Sequence, residues 1–260
     1  MIEISKKITT NVGRTNAQFG LIKENDRIMI GFSGGKDSLT LLHTLNRMQK
    51  KAPFKFDFKA VTITYGMGEQ IEFLSNHCKE HGIEHEIIDT QIFDLAGEKI
   101  RKNSSFCSFF SRMRRGYLYT TALEQGYNKV ALGHHLDDAM ESYFMNLFYN
   151  GTMRTMPPIY KASNGLEVIR PLIFCRERQL RAFADSNEIR VIGDEACPGL
   201  RFDVKMPHAR AATKELLAKL EEQNPKIFVS MKAAFSNIQL PTFFYKDLKD
   251  IKLNIEDETI

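Results

Sequence analysis

Two short segments combine the residue types that chemistry requires. The first is Ser33-Gly34-Gly35-Lys36-Asp37-Ser38, reached through the apolar run Ile28-Met29-Ile30-Gly31-Phe32. Such a run suits a buried parallel strand, and Leu39-Thr40-Leu41-Leu42 after the loop opens a helical pattern. Gly34 and Gly35 let backbone N–H groups approach an anion closely, and a helix N-terminus adds unsatisfied donors and partial positive charge. Lys36 brings a full charge to the same place, so the loop is suited to hold phosphate. The plainer alternative is a Gly-rich strand-to-helix turn with no ligand. A Walker A loop is excluded, because Gly31 and Gly35 are one residue too close and Lys36 precedes Asp37 rather than Ser or Thr. A carboxylate beside bound phosphates repels them unless it faces a cation, so Asp37 implies Mg²⁺. The second segment, Gly133-His134-His135-Leu136-Asp137-Asp138, gathers two histidines and two carboxylates. These could ligate a metal, with Asp138 joining Asp37 at Mg²⁺. Alternatively, an aspartate here caps a helix while one histidine packs inward.

The elements that must position these segments alternate strand and helix. Strands are expected at 27–32, 56–65, 84–89, 129–133 and 168–171, and helices at 3–22, 39–48, 69–81, 109–125, 136–149, 176–187 and 207–222. Gly82 reads as a helix-ending glycine, while 91–107 is ambiguous and includes a polar, loop-like stretch. This alternation predicts an α/β fold: a doubly wound, mainly parallel five-stranded sheet with extra helices at both ends. In such sheets ligands collect at the carboxyl ends of the strands, where both segments emerge. The expected organisation is a helical extension over 1–25, the nucleotide-handling domain over 26–193 and a helical segment over 194–260.

A chain of 260 residues, 43% of them hydrophobic, can bury the core of one substantial domain. No apolar run approaches the ~20 residues that cross a bilayer, and Met1-Ile2-Glu3-Ile4-Ser5-Lys6-Lys7 is not a signal peptide, so no membrane partner and a cytoplasmic location are expected. Cys78, Cys107, Cys175 and Cys197 have no disulfide-framework spacing. A net charge of +4 leaves nucleic-acid binding open, although Arg112, Arg114 and Arg115 form a basic cluster.

The loop Ser33–Ser38 resembles the pyrophosphate-gripping loop of the PP-loop ATP pyrophosphatases. Those enzymes cleave ATP to AMP and pyrophosphate, usually by adenylating a substrate oxygen. Further segments follow in order: Asn11-Val12-Gly13-Arg14, Cys107-Ser108-Phe109-Phe110-Ser111-Arg112-Met113-Arg114-Arg115-Gly116, Leu132–Asp138, Met156-Pro157-Pro158 and Arg170-Pro171-Leu172-Ile173-Phe174-Cys175-Arg176-Glu177. Together they resemble the tRNA 2-thiocytidine synthetase (TtcA) family over nearly the whole chain. The resemblance implies an adenine nucleotide alpha hydrolase-like fold and ATP-dependent replacement of a cytidine C2 oxygen by sulfur in a tRNA anticodon loop. It places ATP phosphates and Mg²⁺ on Ser33, Gly34, Gly35, Lys36, Asp37 and Ser38, and adenine around Thr62 and Thr64 with Gly133 and His134 close by. Arg112 to Arg115 would meet tRNA phosphates. The implied partners are tRNA and a sulfur donor, a cysteine desulfurase or sulfide. A homodimer is left open.

The resemblance also implies a [4Fe–4S] cluster on Cys-x-x-Cys and a distant third cysteine. This chain carries Cys107-Ser108-Phe109-Phe110, with Phe110 where the second cysteine belongs, and Cys197 stands at the third position. Phenylalanine has no lone pair to donate, and thiolates are the usual cluster ligands. Three explanations remain. A cluster could survive on Cys107, Cys197 and a substitute such as Asp194, Glu195, Asp203, His208 or an external ligand. The two cysteines could instead run a persulfide relay, their thiolates favoured by nearby arginines. Or the sulfur chemistry is gone and the scaffold adenylates something that another nucleophile attacks. The plainer alternative for both cysteines is burial as small apolar residues. Cys78 and Cys175 read as structural. Two other functions stay open: an adenylating enzyme using a nitrogen nucleophile, like lysidine synthetase or an amidating enzyme, and a nucleotide- or RNA-binding protein without turnover.

Overall fold

The computed structural model describes residues 2–99, 106–193 and 208–243. The chain opens with α1 (Lys6–Phe19), followed by β1 (Arg27–Gly31), α2 (Lys36–Lys51), β2 (Asp57–Ile63), α3 (Glu72–Glu80) and β3 (His85–Ile88). Next come α4 (Ile92–Lys99), α5 (Phe106–Glu124), β4 (Lys129–Ala131), α6 (Leu136–Asn150), β5 (Ile159–Lys161) and β6 (Glu167–Ile169). α7 (Glu177–Ser186), α8 (His208–Gln223) and α9 (Ile227–Ala234) complete the described helices, before a 3-10 turn at Leu240–Thr242.

The strands form one sheet in the order β3-β2-β1-β4-β6-β5. β1 pairs in parallel with both β2 and β4, and β6 runs parallel to β4. Residues of β1 alternate between two apolar layers, as the period of a strand requires. Ile28 and Ile30 join Ile8 and Val12 of α1, Leu41, Leu42 and Leu45 of α2, Leu74 and Cys78 of α3, and Leu180 and Phe183 of α7. Met29 faces the other way, with Val61, Val130 and the buried residues of α4 and α5. Helices cover both faces, as expected for a doubly wound sheet. Cys78 and Cys175 are buried, and burial pushes the Cys78 thiol up to about 12, consistent with a structural role.

The sheet has six strands rather than five, because β5 folds back antiparallel onto β6. Its turn carries Gly165 at φ +90°, with Ala162 and Leu166 bonded across it. Asn164-Gly165 between two alternating runs is a recognised hairpin signal. Part of the ambiguous 91–107 stretch is helical, as α4 and the start of α5, and residues 100–105 lie outside the described residues. The chain divides into compact units Met1–Lys214 and Glu215–Ile260, so the division falls inside α8. Among the described residues, no helix is long and apolar enough to cross a membrane.

At the amino ends of the central strands, Lys129 is buried. Its Nζ contacts Asp26 Oδ2 at 2.9 Å and Glu167 Oε2 at 3.1 Å, and donates to the Leu21 carbonyl at 2.8 Å. Asp26 is itself buried and accepts from Asn128 Nδ2 at 2.8 Å. Removing one partner of a buried pair leaves the other uncompensated. Lys129→Ala should therefore lower unfolding free energy by about 3–5 kcal/mol, read by urea denaturation.

Candidate active site

The strand order reverses between β1 and β4, and an open α/β sheet forms its ligand crevice at such a point. From β1 the chain passes through Ser33 and Gly34 into α2. Gly34 has φ +78°, and a Cβ there would stand 2.7 Å from Ile192 Cδ1 and 3.0 Å from Leu74 Cδ1. Its carbonyl accepts from Ile192 N at 2.8 Å, which pins the loop. Gly35 is the N-cap of α2 and offers no side chain to that helix end, so the first-turn N–H groups keep their capacity for an anion. Ser33 Oγ lies 3.2 Å from Ser38 Oγ, which donates to the Gly35 carbonyl at 2.9 Å.

From the other side, Gly133 at the end of β4 abuts the same turn. A Cβ on Gly133 would lie 3.0 Å from Asp37 C and 3.1 Å from both Asp37 O and Ser38 N. These are backbone atoms, which cannot swing aside. His135 caps α6 by accepting from Asp138 N through Nδ1 at 3.4 Å, so its proton sits on Nε2. That Nε2 stands 3.4 Å from Asp138 Oδ2 and 3.7 Å from Asp37 Oδ1. The second segment is thus both a capped helix start and a source of carboxylates beside the loop.

Burial raises the Asp37 pKa, with Asp138 adding to it, while His135 and Lys36 oppose the rise. Asp37 Oδ1 is buried without a hydrogen-bond partner. An orphaned carboxylate oxygen near a second carboxylate suits a hard cation with oxygen ligands, so Asp37 and Asp138 fit Mg²⁺. Lys36 Nζ lies 3.2 Å from Asp37 Oδ2 and 3.2 Å from Glu177 Oε1.

The first turn of α7 and one face of α8 complete this charge network. Glu177 N donates to Asp137 Oδ2 at 2.7 Å, and Arg176 Nε bonds Asp137 at 3.1 Å, which joins α7 to α6. Lys214 Nζ contacts Glu177 Oε2 at 2.9 Å. Arg210 Nη2 reaches Asp138 Oδ1 and its Nε reaches Glu141 Oε2, both at 2.8 Å. Sequence reasoning missed Arg210 and Lys214 as site residues and assigned no role to Glu177. The available signal was the i,i+4 spacing of the two basic residues on one helix face.

Thr62 and Thr64 lie at the carboxyl end of β2 and just beyond it. Thr62 Oγ1 donates to the Phe32 carbonyl at 2.6 Å and meets His85 Nε2 at 2.9 Å. Thr64 Oγ1 accepts from Thr90 N at 3.0 Å. Both hydroxyls therefore tie strands and loops together. His134 Nδ1 accepts from Arg170 Nε at 3.3 Å, and burial holds its pKa down at about 4, so the imidazole is neutral near pH 7. Arg112 and Arg115 on α5 are exposed, whereas Arg114 is half-buried and donates to Tyr65 OH at 2.9 Å.

Cys107 belongs to the first turn of α5. Its side chain and all of Cys197 lie outside the described residues. Phe110, one turn further on, is buried among aromatic rings: Tyr65 and Phe109 each at 5.6 Å and Phe93 at 6.5 Å between centroids. It is part of the apolar layer beneath the sheet, so position 110 offers a ring where a three-cysteine set needs a thiolate.

A PP-loop domain model matches residues 4–205. A tRNA-cytidine(32) 2-sulfurtransferase of Geobacter metallireducens is 44% identical over 237 residues, covering 90% of each chain. The chain belongs to the tRNA-cytidine(32) 2-sulfurtransferase (TtcA) family of PP-loop proteins. Another family member, from Pseudomonas syringae, is 37% identical over 261 residues and covers 99% of this chain and 93% of its own. Among solved structures, the U34-tRNA thiolase NcsA from Methanococcus maripaludis, with its [4Fe-4S] cluster, has a TM-score of 0.70 at 23% identity. The match covers 89% of this chain and 77% of that one, and shows that the fold is shared.

In this family member the approach of Gly133 to the backbone of α2 leaves little room for a single added carbon. Gly133→Ala should force the first turn of α2 away from β4. The expected cost is about 1–3 kcal/mol in stability, with weakened ATP binding, read by thermal unfolding and nucleotide titration.

A second expectation concerns Glu177. Burial alone would raise its pKa, but the Lys214 hydrogen bond and the Lys36 and Lys214 charges outweigh burial and bring it to about 2. Arg181 Nη2, at 3.5 Å, is a further cation facing it. A carboxyl depressed in the fold stabilises above its unfolded pKa, and that stability is lost as pH falls toward the folded value. The stability advantage of the native chain over Glu177→Gln should be full above about pH 4.5 and vanish by about pH 2, measured by unfolding at stepped pH.

Proposed function

We propose that this protein is an ATP-dependent tRNA-modifying enzyme that adenylates the C2 oxygen of cytidine 32 in the anticodon loop and replaces it with sulfur. One observation carries the ATP half: an uncapped glycine-led helix start that brings Lys36 and an orphaned Asp37 oxygen to the β1–β4 crevice. The relatives' shared name supports the choice of cytidine 32 and of sulfur as the incoming atom.

In this reading the N–H groups of Gly34, Gly35 and the first turn of α2 bind the β- and γ-phosphates. Ser33 and Ser38 orient the loop, and Lys36 stabilises charge that builds on pyrophosphate as it leaves. Glu177, itself held by Lys214, keeps Nζ of Lys36 at the crevice. Asp37 and Asp138 would hold Mg²⁺, which would supply charge neutralisation for the phosphates. The ends of β1 and β2 and the Gly133–His134 segment accept the adenine, with recognition falling to backbone groups because both threonine hydroxyls are engaged. Cytidine O2 attacks the α-phosphorus, pyrophosphate departs, and C2 is left bonded to a good leaving group.

The exposed Arg112 and Arg115 suit tRNA phosphates. Cys107 and Cys197 are assigned to the sulfur step, with the persulfide of a cysteine desulfurase as the source, since sulfide would need an oxidant to become persulfide sulfur. With Phe110 in the apolar layer, the chain lacks the three-thiolate set, and the reading routes no step through a cluster. A sulfur held as persulfide on one thiolate attacks C2 as AMP leaves. The other thiolate then attacks the sulfur of the first cysteine, releasing the thiolated base and leaving a Cys–Cys disulfide that a cellular thiol reductant must reopen.

Lys36→Ala should lower tRNA-dependent AMP formation by at least ~100-fold while leaving circular dichroism and unfolding temperature close to the native values. AMP formation at the native rate in that variant would remove Lys36 from the mechanism.

A further inference from the structure

On the face of the sheet that carries α2 and α3, three histidines meet. His43 comes from the middle of α2, His77 lies in α3, and His81 is the residue that caps α3. One ring nitrogen from each lies within 4.8 Å of the other two. His43 Nε2 and His77 Nε2 are 2.7 Å apart. The ring centroids stand 5.0 Å apart for His43–His77, 4.9 Å for His43–His81 and 4.5 Å for His77–His81. No other histidine, cysteine or carboxylate grouping of this kind occurs among the described residues.

We propose that His43, His77 and His81 form a binding site for a divalent transition-metal ion of the Zn²⁺ class, which clamps α2 to α3. Three features support it. First, His77 and His81 stand four residues apart, the spacing that brings two side chains to one helix face. Second, the hydrogen bonds set tautomers that metal binding needs. His81 Nδ1 faces the His77 carbonyl at 2.8 Å, and a carbonyl only accepts, so Nδ1 carries the proton and Nε2 keeps its lone pair. A ring N–H fixed on a backbone carbonyl is the usual outer support of a ligating histidine. Third, the two facing Nε2 atoms share a single proton. Moving that proton to Nδ1 of the donor ring frees both lone pairs without changing either ring's charge.

The geometry is within reach of a tetrahedral ion. With Zn–N near 2.0–2.1 Å, ligand nitrogens lie about 3.3 Å apart. The close pair must open slightly and the third ring turn inward. His43 is buried, while His77 and His81 are half-buried. Imidazole nitrogens suit Zn²⁺, Ni²⁺ and Cu²⁺ rather than Mg²⁺, so the ion differs in class from the one that Asp37 and Asp138 fit. The fourth position falls to water. Asn46 Nδ2, which reaches the His81 carbonyl at 3.4 Å, already joins the same two helices. His43 follows Lys36 by about two turns of α2, roughly 10 Å along the axis, which separates this site from the phosphate loop.

The test is a Zn²⁺ titration of chelator-treated full-length protein with Mg²⁺ in excess, so that hard-cation sites are filled. Native protein, His77→Ala, His81→Ala and a Cys107→Ser/Cys197→Ser double variant are compared by calorimetry and by thermal shift. The proposal expects about one equivalent bound with a dissociation constant below ~1 μM in the native and cysteine variants, weakened at least ~100-fold in each histidine variant. Zn²⁺ should raise the unfolding temperature only where it binds. Co²⁺ added to native protein should give the visible bands of a four-coordinate nitrogen–oxygen site, without thiolate-to-metal charge transfer. That readout needs no variant. Native protein without such binding, histidine variants that fold and bind like native, or binding lost with the cysteines instead would each overturn it.

Discussion

The close approach between the end of β4 and the first turn of α2 is the constraint on which the site depends. At Gly133 there is hydrogen where any other residue would place carbon about 3 Å from the Asp37 and Ser38 backbone. That contact brings the carboxylates of α6 beside the phosphate loop of α2. It exists because β1 and β4 are parallel neighbours at the point where the strand order reverses. Lys36, Asp37, Asp138 and His135 are close only because two backbones are.

The charges gathered there balance one another in pairs. Lys36 lies between Asp37 and Glu177, Glu177 between Lys36 and Lys214, and Arg210 between Asp138 and Glu141. Asp37 Oδ1 accepts no hydrogen bond, with His135 Nε2 3.7 Å away. A polyanionic ligand that recruits Lys36 and a cation that recruits Asp37 would meet groups already held in place, which lowers the reorganisation that binding requires.

Much of this was legible in the sequence because it is local. A strand, a loop of six residues and a helix start lie consecutively in the chain, so Ser33–Ser38 declares its chemistry without tertiary information. The Glu177–Lys36 and Arg210–Asp138 pairs were not legible, since the latter joins residues 72 positions apart and only the fold makes them neighbours. Thr62 and Thr64 show the converse. Their place at the end of a strand was readable, but the engagement of their hydroxyls with Phe32 and Thr90 was not. The sixth strand was announced by Asn164-Gly165, a local signal that the sequence reading passed over. Phe110 was visible as a departure from the family pattern, and its burial against Tyr65, Phe93 and Phe109 shows what the ring does instead.

The reaction has two halves: ATP activates a cytidine oxygen, and sulfur displaces it. Nucleoside mass spectrometry of tRNA tests the whole of it directly, comparing cells that lack this protein with the same cells supplied with it. 2-Thiocytidine is expected to disappear without the protein and to return with it. An unchanged 2-thiocytidine level in cells lacking the protein would contradict it.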